Sequence, residues 1–286
     1  MMNDYTSNYF TTDDNVKLYY EECGYGEQVI LFVHGYTDSS LGFRHVAGYL
    51  EKEKYRVICY DLRAHGKSDA PEYGYSMQRY ARDLNNLIDH LDLKDIHIIG
   101  YSMGVHIIYD YIRQFGDGKI ASLILTSMSP NIVNNKEYQL GMKGYTIETA
   151  METITNLNDN YEAEKRKTDP AANSWMAEYP YIFEFYENAL NLNQHAMVRL
   201  QLSMIANDYW EVLGCITKPV IVIGGETDIY PIATFERTAQ LIEGAKLSII
   251  PEQGHLFYLY IPEVYADRIR NFIDGITESD GKRIAT

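Results

Sequence analysis

The sequence is poor in basic residues, in cysteine and in long apolar runs. Against 40 acidic side chains stand 25 lysines and arginines, a formal net charge of -15. A protein that grips nucleic acid needs a basic footprint for the phosphates, and an anionic membrane surface asks for the same. Neither partner is therefore expected, and the acidity reads as a solubility feature. The three cysteines, Cys23, Cys59 and Cys215, form an odd, scattered set without CxxC spacing. That argues against a disulfide framework and against a thiolate metal site. Cys59, inside Val57-Ile-Cys-Tyr60, reads as a small core residue. No uninterrupted apolar run approaches the roughly 18 residues of a membrane span. The opening MMNDYTSNYF has neither the basic nor the apolar region of a secretion signal. A soluble, cytoplasmic protein is the expectation. HExxH and GxxxxGK[ST] are also missing, and no metal or organic cofactor is expected.

What is present is an alternation. The chain has 286 residues, 46% of them hydrophobic, enough for one large domain with an insertion or for two smaller ones. Residues 15–23 partly alternate and read as an edge strand after a turn at Asp13-Asp14-Asn15. Short continuous apolar runs follow at 28–33, 56–60, 96–99, 122–126, 219–223 and 246–250. Strands covered on both faces read this way. Between them lie helical patterns at 41–52, 76–93, 103–115, 232–242 and 262–273, the second carrying Tyr80, Leu84, Leu87, Ile88 and Leu91 on one stripe. Strands alternating with helices predict a mainly parallel α/β sheet with right-handed crossovers. The tail from Thr277 is polar and is expected to fray.

One interval breaks the rhythm. Between Pro130 and about Gly214 no strand-like run occurs, and a structureless loop of that length is implausible inside a domain. The interval reads as a helical insertion at 131–214 in a core made of 1–130 and 215–286. It is rich in aromatics: Tyr138, Tyr145, Trp175, Tyr179, Tyr181, Phe183, Phe185, Tyr186, Tyr209 and Trp210. These either pack the insertion onto the core or line a pocket.

Ligands of an open parallel sheet sit at the carboxyl ends of its strands, so chemistry is sought just after each apolar run. Gly100-Tyr-Ser-Met-Gly104 follows one run and opens a helix. Ser102 there fits a plain helix cap, and it also fits the sharp strand-to-helix turn that exposes a nucleophilic serine between two small residues. Asp228 follows the run at 219–223, with Glu226 as a nearby rival, and His255 follows the last run. The order Ser, Asp, His suits a hydrolytic triad. His34, His65 and His97 read as turn or strand residues; His45, His90, His106 and His195 fall on helical patterns.

From about Tyr9 to Ile273 the chain resembles the α/β-hydrolase fold superfamily. It is most similar to the group of small esterases, cofactor-free haloperoxidase-like perhydrolases and enol-lactone hydrolases. The resemblance rests on Phe32-Val-His-Gly35, Asp61-Leu-Arg-Ala-His-Gly-Lys-Ser68, Gly100-Tyr-Ser-Met-Gly104, Gly225-Glu-Thr-Asp228 and Gly254-His255, in the family's order. Ala64 stands where a glycine is often found, and Val105 where a small residue is. The resemblance implies Ser102 as nucleophile, His255 as general base and acid, and Asp228 as the residue orienting it. It implies an oxyanion hole from the backbone N–H groups of Tyr36 and Met103, a structural role for Asp61 to Ser68, and a helical cap at the insertion. Relatives that open epoxides or remove halide carry aspartate at the elbow, so serine points away from those reactions. The expected function is hydrolysis of small or medium, partly apolar carboxylic esters through an acyl-enzyme. Perhydrolysis, lactone opening and C–C bond hydrolysis are alternatives on the same fold. A ligand-binding or signalling protein with little turnover is the alternative from another class.

Overall fold

The structure, a computed structural model, describes residues 5–50, 52–167, 182 and 192–284. Eight strands form one sheet: β1 (Thr6–Thr11), β2 (Lys17–Cys23), β3 (Gln28–Val33), β4 (Tyr55–Tyr60), β5 (Ile96–Tyr101), β6 (Ile120–Thr126), β7 (Val220–Gly225) and β8 (Lys246–Ile250). Their order is β1-β2-β4-β3-β5-β6-β7-β8, and β2 alone runs against its neighbours. The helices are α1 (Arg44–Gly48, preceded by a 3-10 turn at Ser40–Phe43), α2 (Met77–His90), α3 (Met103–Phe115), α4 (Ile147–Asp159) and α5 (Tyr161–Lys167). After these come α6 (Gln194–Ile205), α7 (Trp210–Leu213), α8 (Ile232–Gln240), α9 (Phe257–Tyr260) and α10 (Pro262–Ile284).

The continuous apolar runs have a simple cause: both faces of the sheet are covered. In β3, Leu31 and Val33 join a core cluster with α2 and α3, while Ile30 and Phe32 join a second cluster with α1 and α10. In β7, Val222 lies in the first cluster and Ile221 and Ile223 in the second. Strand side chains alternate faces, so two apolar faces require apolar residues at every position.

Some elements depart from the sequence-based expectations. The segment expected at the edge, β2, is paired on both sides, and the edge position is taken by β1; TSNYFT is mostly exposed and carries no apolar run to announce it. The helix expected at 41–52 is shorter and stops at Gly48, a poor helix former. The last helix, expected over 262–273 with a frayed tail from Thr277, runs on to Ile284. Between β6 and β7, the described residues form only helices, turns and an isolated bridge from Asn134 to Thr146. Ala196, Met197 and Leu200 of α6 belong to the same core cluster as β3 and α3, so this helix is packed onto the sheet domain. Trp175, Tyr179, Tyr181, Phe183, Phe185 and Tyr186 lie outside the described residues. Among those described, no helix is long and apolar enough to cross a membrane.

The sheet positions a site. From β3 the chain steps outward to β4, then returns across β3 to β5 and proceeds the other way. Strand order reverses between β3 and β5, and a crevice opens where the loops after such strands diverge. His34, Gly35 and Tyr36 follow β3, and Ser102 follows β5.

Candidate active site

Ser102 has φ 50° and ψ -125°, a conformation that L-residues rarely adopt and that surrounding structure must hold in place. Both flanking glycines are sterically required. A Cβ on Gly104 would stand 2.1 Å from the Val33 carbonyl oxygen, and one on Gly100 would stand 2.9 Å from the backbone of Val105. Ser102 occupies the N-cap position of α3, yet its side chain makes no capping bond. Its Oγ lies instead 3.0 Å from His255 Nε2. On the other side of the ring, Nδ1 lies 3.0 Å from Asp228 Oδ1. With Nδ1–H donating to the carboxylate, Nε2 is left to accept the serine proton.

Asp228 is fully buried, whereas its rival Glu226 is exposed and accepts the Glu252 backbone N–H at 2.8 Å. Burial pushes the Asp228 carboxyl up, but hydrogen bonds from His255, Ser127 and the Tyr230 backbone outweigh it and hold the group below the usual carboxylate range. Ser127 Oγ donates to Asp228 Oδ2 at 2.6 Å. Ser127 follows β6, the strand between β5 and β7, and was not singled out from sequence; its place one residue past a strand end was the available signal. Tyr101, inside the elbow motif, is also explained. Its hydroxyl donates to the His255 carbonyl, tying the histidine loop to β5.

The loop after β3 lies against Ser102: a Cβ on Gly35 would be 3.2 Å from Ser102 Cβ. No acceptor among the described residues takes the N–H of Tyr36 or of Met103. His34 Nδ1–H donates to the Gly35 carbonyl at 2.8 Å, and His34 Nε2 accepts the Leu62 N–H at 3.0 Å. The Gly35 carbonyl and the Tyr36 N–H belong to one planar trans peptide, so holding the first sets the direction of the second. Burial, with His65 alongside, keeps His34 neutral, as this bonding pattern needs. The loop supplying Leu62 is held in turn. Asp61 accepts the Ser40 and Lys67 N–H groups at 2.7 and 2.8 Å, and Ala64 takes φ 61°, which accounts for the preference for glycine there.

These groups face a cleft of about 550 Å³ whose wall is mainly apolar, with Met128, Ile132, Met204 and Leu256 among its residues. That volume suits a small or medium organic ligand. Among the described residues no three His, Cys, Asp or Glu side chains gather as metal ligands. Of the insertion's aromatics, Tyr145 lines the cleft, whereas Trp210 donates to the Tyr138 hydroxyl and Tyr209 donates to Asp110, both away from it.

Asp38, also on the cleft wall, is buried, and Tyr258 donates to its Oδ2 at 2.8 Å. Burial raises its carboxyl from 3.8 to about 7. The fold therefore holds a proton that the unfolded chain has already lost between those values. Stability falls as pH rises through this window, and the penalty is complete above it. Asp38→Asn is expected to gain on the order of 2–4 kcal/mol relative to the parent between about pH 4 and about pH 8. Urea unfolding at both pH values checks this; a pH-independent difference would show that Asp38 ionises normally.

Residues 28–262 match the family model described as alpha/beta hydrolase fold. The AB hydrolase superfamily protein YisY of Bacillus subtilis is 27% identical over 259 residues, covering 86% of this chain and 91% of that protein. A non-heme haloperoxidase of Rhodococcus erythropolis is 25% identical, covering 86% and 92%. An esterase from Exiguobacterium antarcticum superimposes with a TM-score of 0.84 at 23% identity, covering 94% of this chain and all of that one.

Proposed function

The chain belongs to the alpha/beta hydrolase fold family, and on that premise we propose that it is a serine hydrolase of small to medium, partly apolar carboxylic esters. The observation that carries this reading is the line Ser102 Oγ, His255, Asp228, two contacts of 3.0 Å, with Ser102 and His255 on the wall of an apolar cleft. In the proposed reaction Ser102 Oγ attacks the ester carbonyl carbon as His255 Nε2 takes the hydroxyl proton. The oxygen that becomes negative meets the N–H groups of Tyr36 and Met103, the latter at the positive end of α3. His255 returns its proton to the departing alcohol. Water, deprotonated by His255, then attacks the acyl-enzyme and releases the acid. Residues 131–214 would cap the cleft, with Tyr145 and α6 forming part of its wall.

A second reading has support from the haloperoxidase relatives: hydrogen peroxide in place of water at the acyl-enzyme, giving a peracid. A panel of aryl esters tests the first reading. Activity is expected to peak at acyl chains of roughly four to eight carbons, the size such a cleft covers. Absence of hydrolysis across the panel would remove the esterase reading. Peracid formation exceeding hydrolysis at matched peroxide would favour the second.

A further inference from the structure

Among the described residues, the mainly apolar wall of the cleft carries an uncharged polar pair. Gln201, on α6, and Tyr145, just before α4, are both more than nine-tenths buried, and both line the cleft. The Gln201 amide nitrogen donates to the Tyr145 hydroxyl. The other half of that amide has no hydrogen-bond partner among the described residues, and it is not among the sealed, unpartnered polar atoms either. It is therefore open to the cleft. Thr153, also on the wall, donates its hydroxyl proton to the Thr149 carbonyl and stands beside the Tyr145 hydroxyl. An amide and a phenol bonded to each other leave at least one donor and one acceptor to share with a third group, whichever way round the amide sits.

The pair is also placed relative to the reaction. Tyr36, on the cleft wall with Ser102, donates its side-chain hydroxyl to the Met197 carbonyl of α6 at 3.0 Å. Gln201 lies four residues further on, about 6 Å along the same face of the helix. A ligand that runs from Ser102 along Tyr36 and α6 meets apolar side chains and then this pair. Among the described residues, the acidic side chains on the wall are Asp38 and Glu164, and no lysine or arginine lines it. A negatively charged distal group is disfavoured, and a neutral one is matched.

We propose that Gln201 and Tyr145 form a specificity site for an uncharged hydrogen-bonding group, a keto or hydroxyl oxygen, carried by the substrate at the end remote from the scissile ester. The substrate class is then the oxo- or hydroxyacyl ester, and the plain alkyl ester is its inferior analogue. A buried polar pair left unmatched by an alkyl chain loses the water it had and gains nothing, which penalises that substrate. This rests on the ester-hydrolase reading above.

The test uses the full chain and two aryl esters of equal length, hexanoate and 5-oxohexanoate. The parent is expected to favour the oxo ester in kcat/KM by roughly tenfold or more, after correction for the esters' alkaline hydrolysis rates. Gln201→Leu and Tyr145→Phe are each expected to bring that ratio down to about threefold or less. The ratio is the readout, because a general loss of packing lowers both rates together. In parallel, Ser102→Ala protein, which needs no turnover, is expected to bind 5-oxohexanamide more tightly than hexanamide by calorimetry. Hydrolysis of both esters without preference, a ratio that survives both substitutions, or equal binding of the two amides would overturn the assignment. Tighter binding of the oxo amide without cleavage of either ester would uphold the site and overturn the hydrolase reading.

Discussion

Ser102→Ala is expected to lower turnover of every ester by about 10⁴- to 10⁶-fold, the loss typical when a nucleophile that acts as one unit with its base is removed. The size follows from the geometry. In the proposed triad Ser102 Oγ is the nucleophilic atom, on the cleft wall and 3.0 Å from the His255 nitrogen that would take its proton. Alanine keeps the Cβ, so the close approach of Gly35 and the packing of Gly100 and Gly104 are unaltered. The unfolding midpoint should therefore stay close to that of the parent. Steady-state kinetics with a short-chain aryl ester, alongside a thermal melt, makes the measurement. Turnover within tenfold of the parent would place the chemistry elsewhere.

The second large effect concerns stability. Arg63 is completely buried and grips the completely buried Asp83 with two parallel bonds, Nε to Oδ2 at 2.6 Å and Nη2 to Oδ1 at 2.7 Å. Asp14 takes Nη2 from the other side at 3.1 Å, and Arg79 adds a bond of 2.8 Å to Asp83. Arg63→Met fills much of the space but leaves Asp83 in the interior with only Arg79. A broken buried pair costs about 3–5 kcal/mol, because the remaining charge has lost its water and its partner. Converting Asp83 to leucine in the same chain is expected to recover most of that loss, since a well-packed apolar pair is often as stable as the ion pair. Urea denaturation of the single and double variants supplies both numbers. A single-variant loss below about 1 kcal/mol would mean that Arg79 suffices. The network also bears on the site: Arg63 sits in the loop whose Leu62 N–H holds His34, and His34 aims the Tyr36 peptide.

How much could be read in advance depended on the range of the interaction responsible. Burial on both faces of β3, β5, β6 and β7 requires apolar residues at each position, a local pattern, so these strands and their order along the chain were readable. β1 was not, because an exposed edge strand has no such requirement. The elbow was readable because its glycines answer to backbone within a few residues and to the next strand. Other features depend on pairs far apart in the chain. Two carboxylates, Glu226 and Asp228, stand two residues apart after β7, and no periodicity tells which one reaches a histidine 27 residues later. The turn at that strand end decides it, by sealing Asp228 beneath Ser127 and leaving Glu226 in solvent. Gln201 and Tyr145 are 56 residues apart and share only a place on the cleft wall. The sequence alone therefore determined the layered α/β architecture and the candidate residues at the strand ends, since periodic burial and local sterics write themselves into neighbouring positions. Only the tertiary structure decided which of those residues meet, because sheet order and loop geometry bring them together without leaving a repeating pattern in the chain.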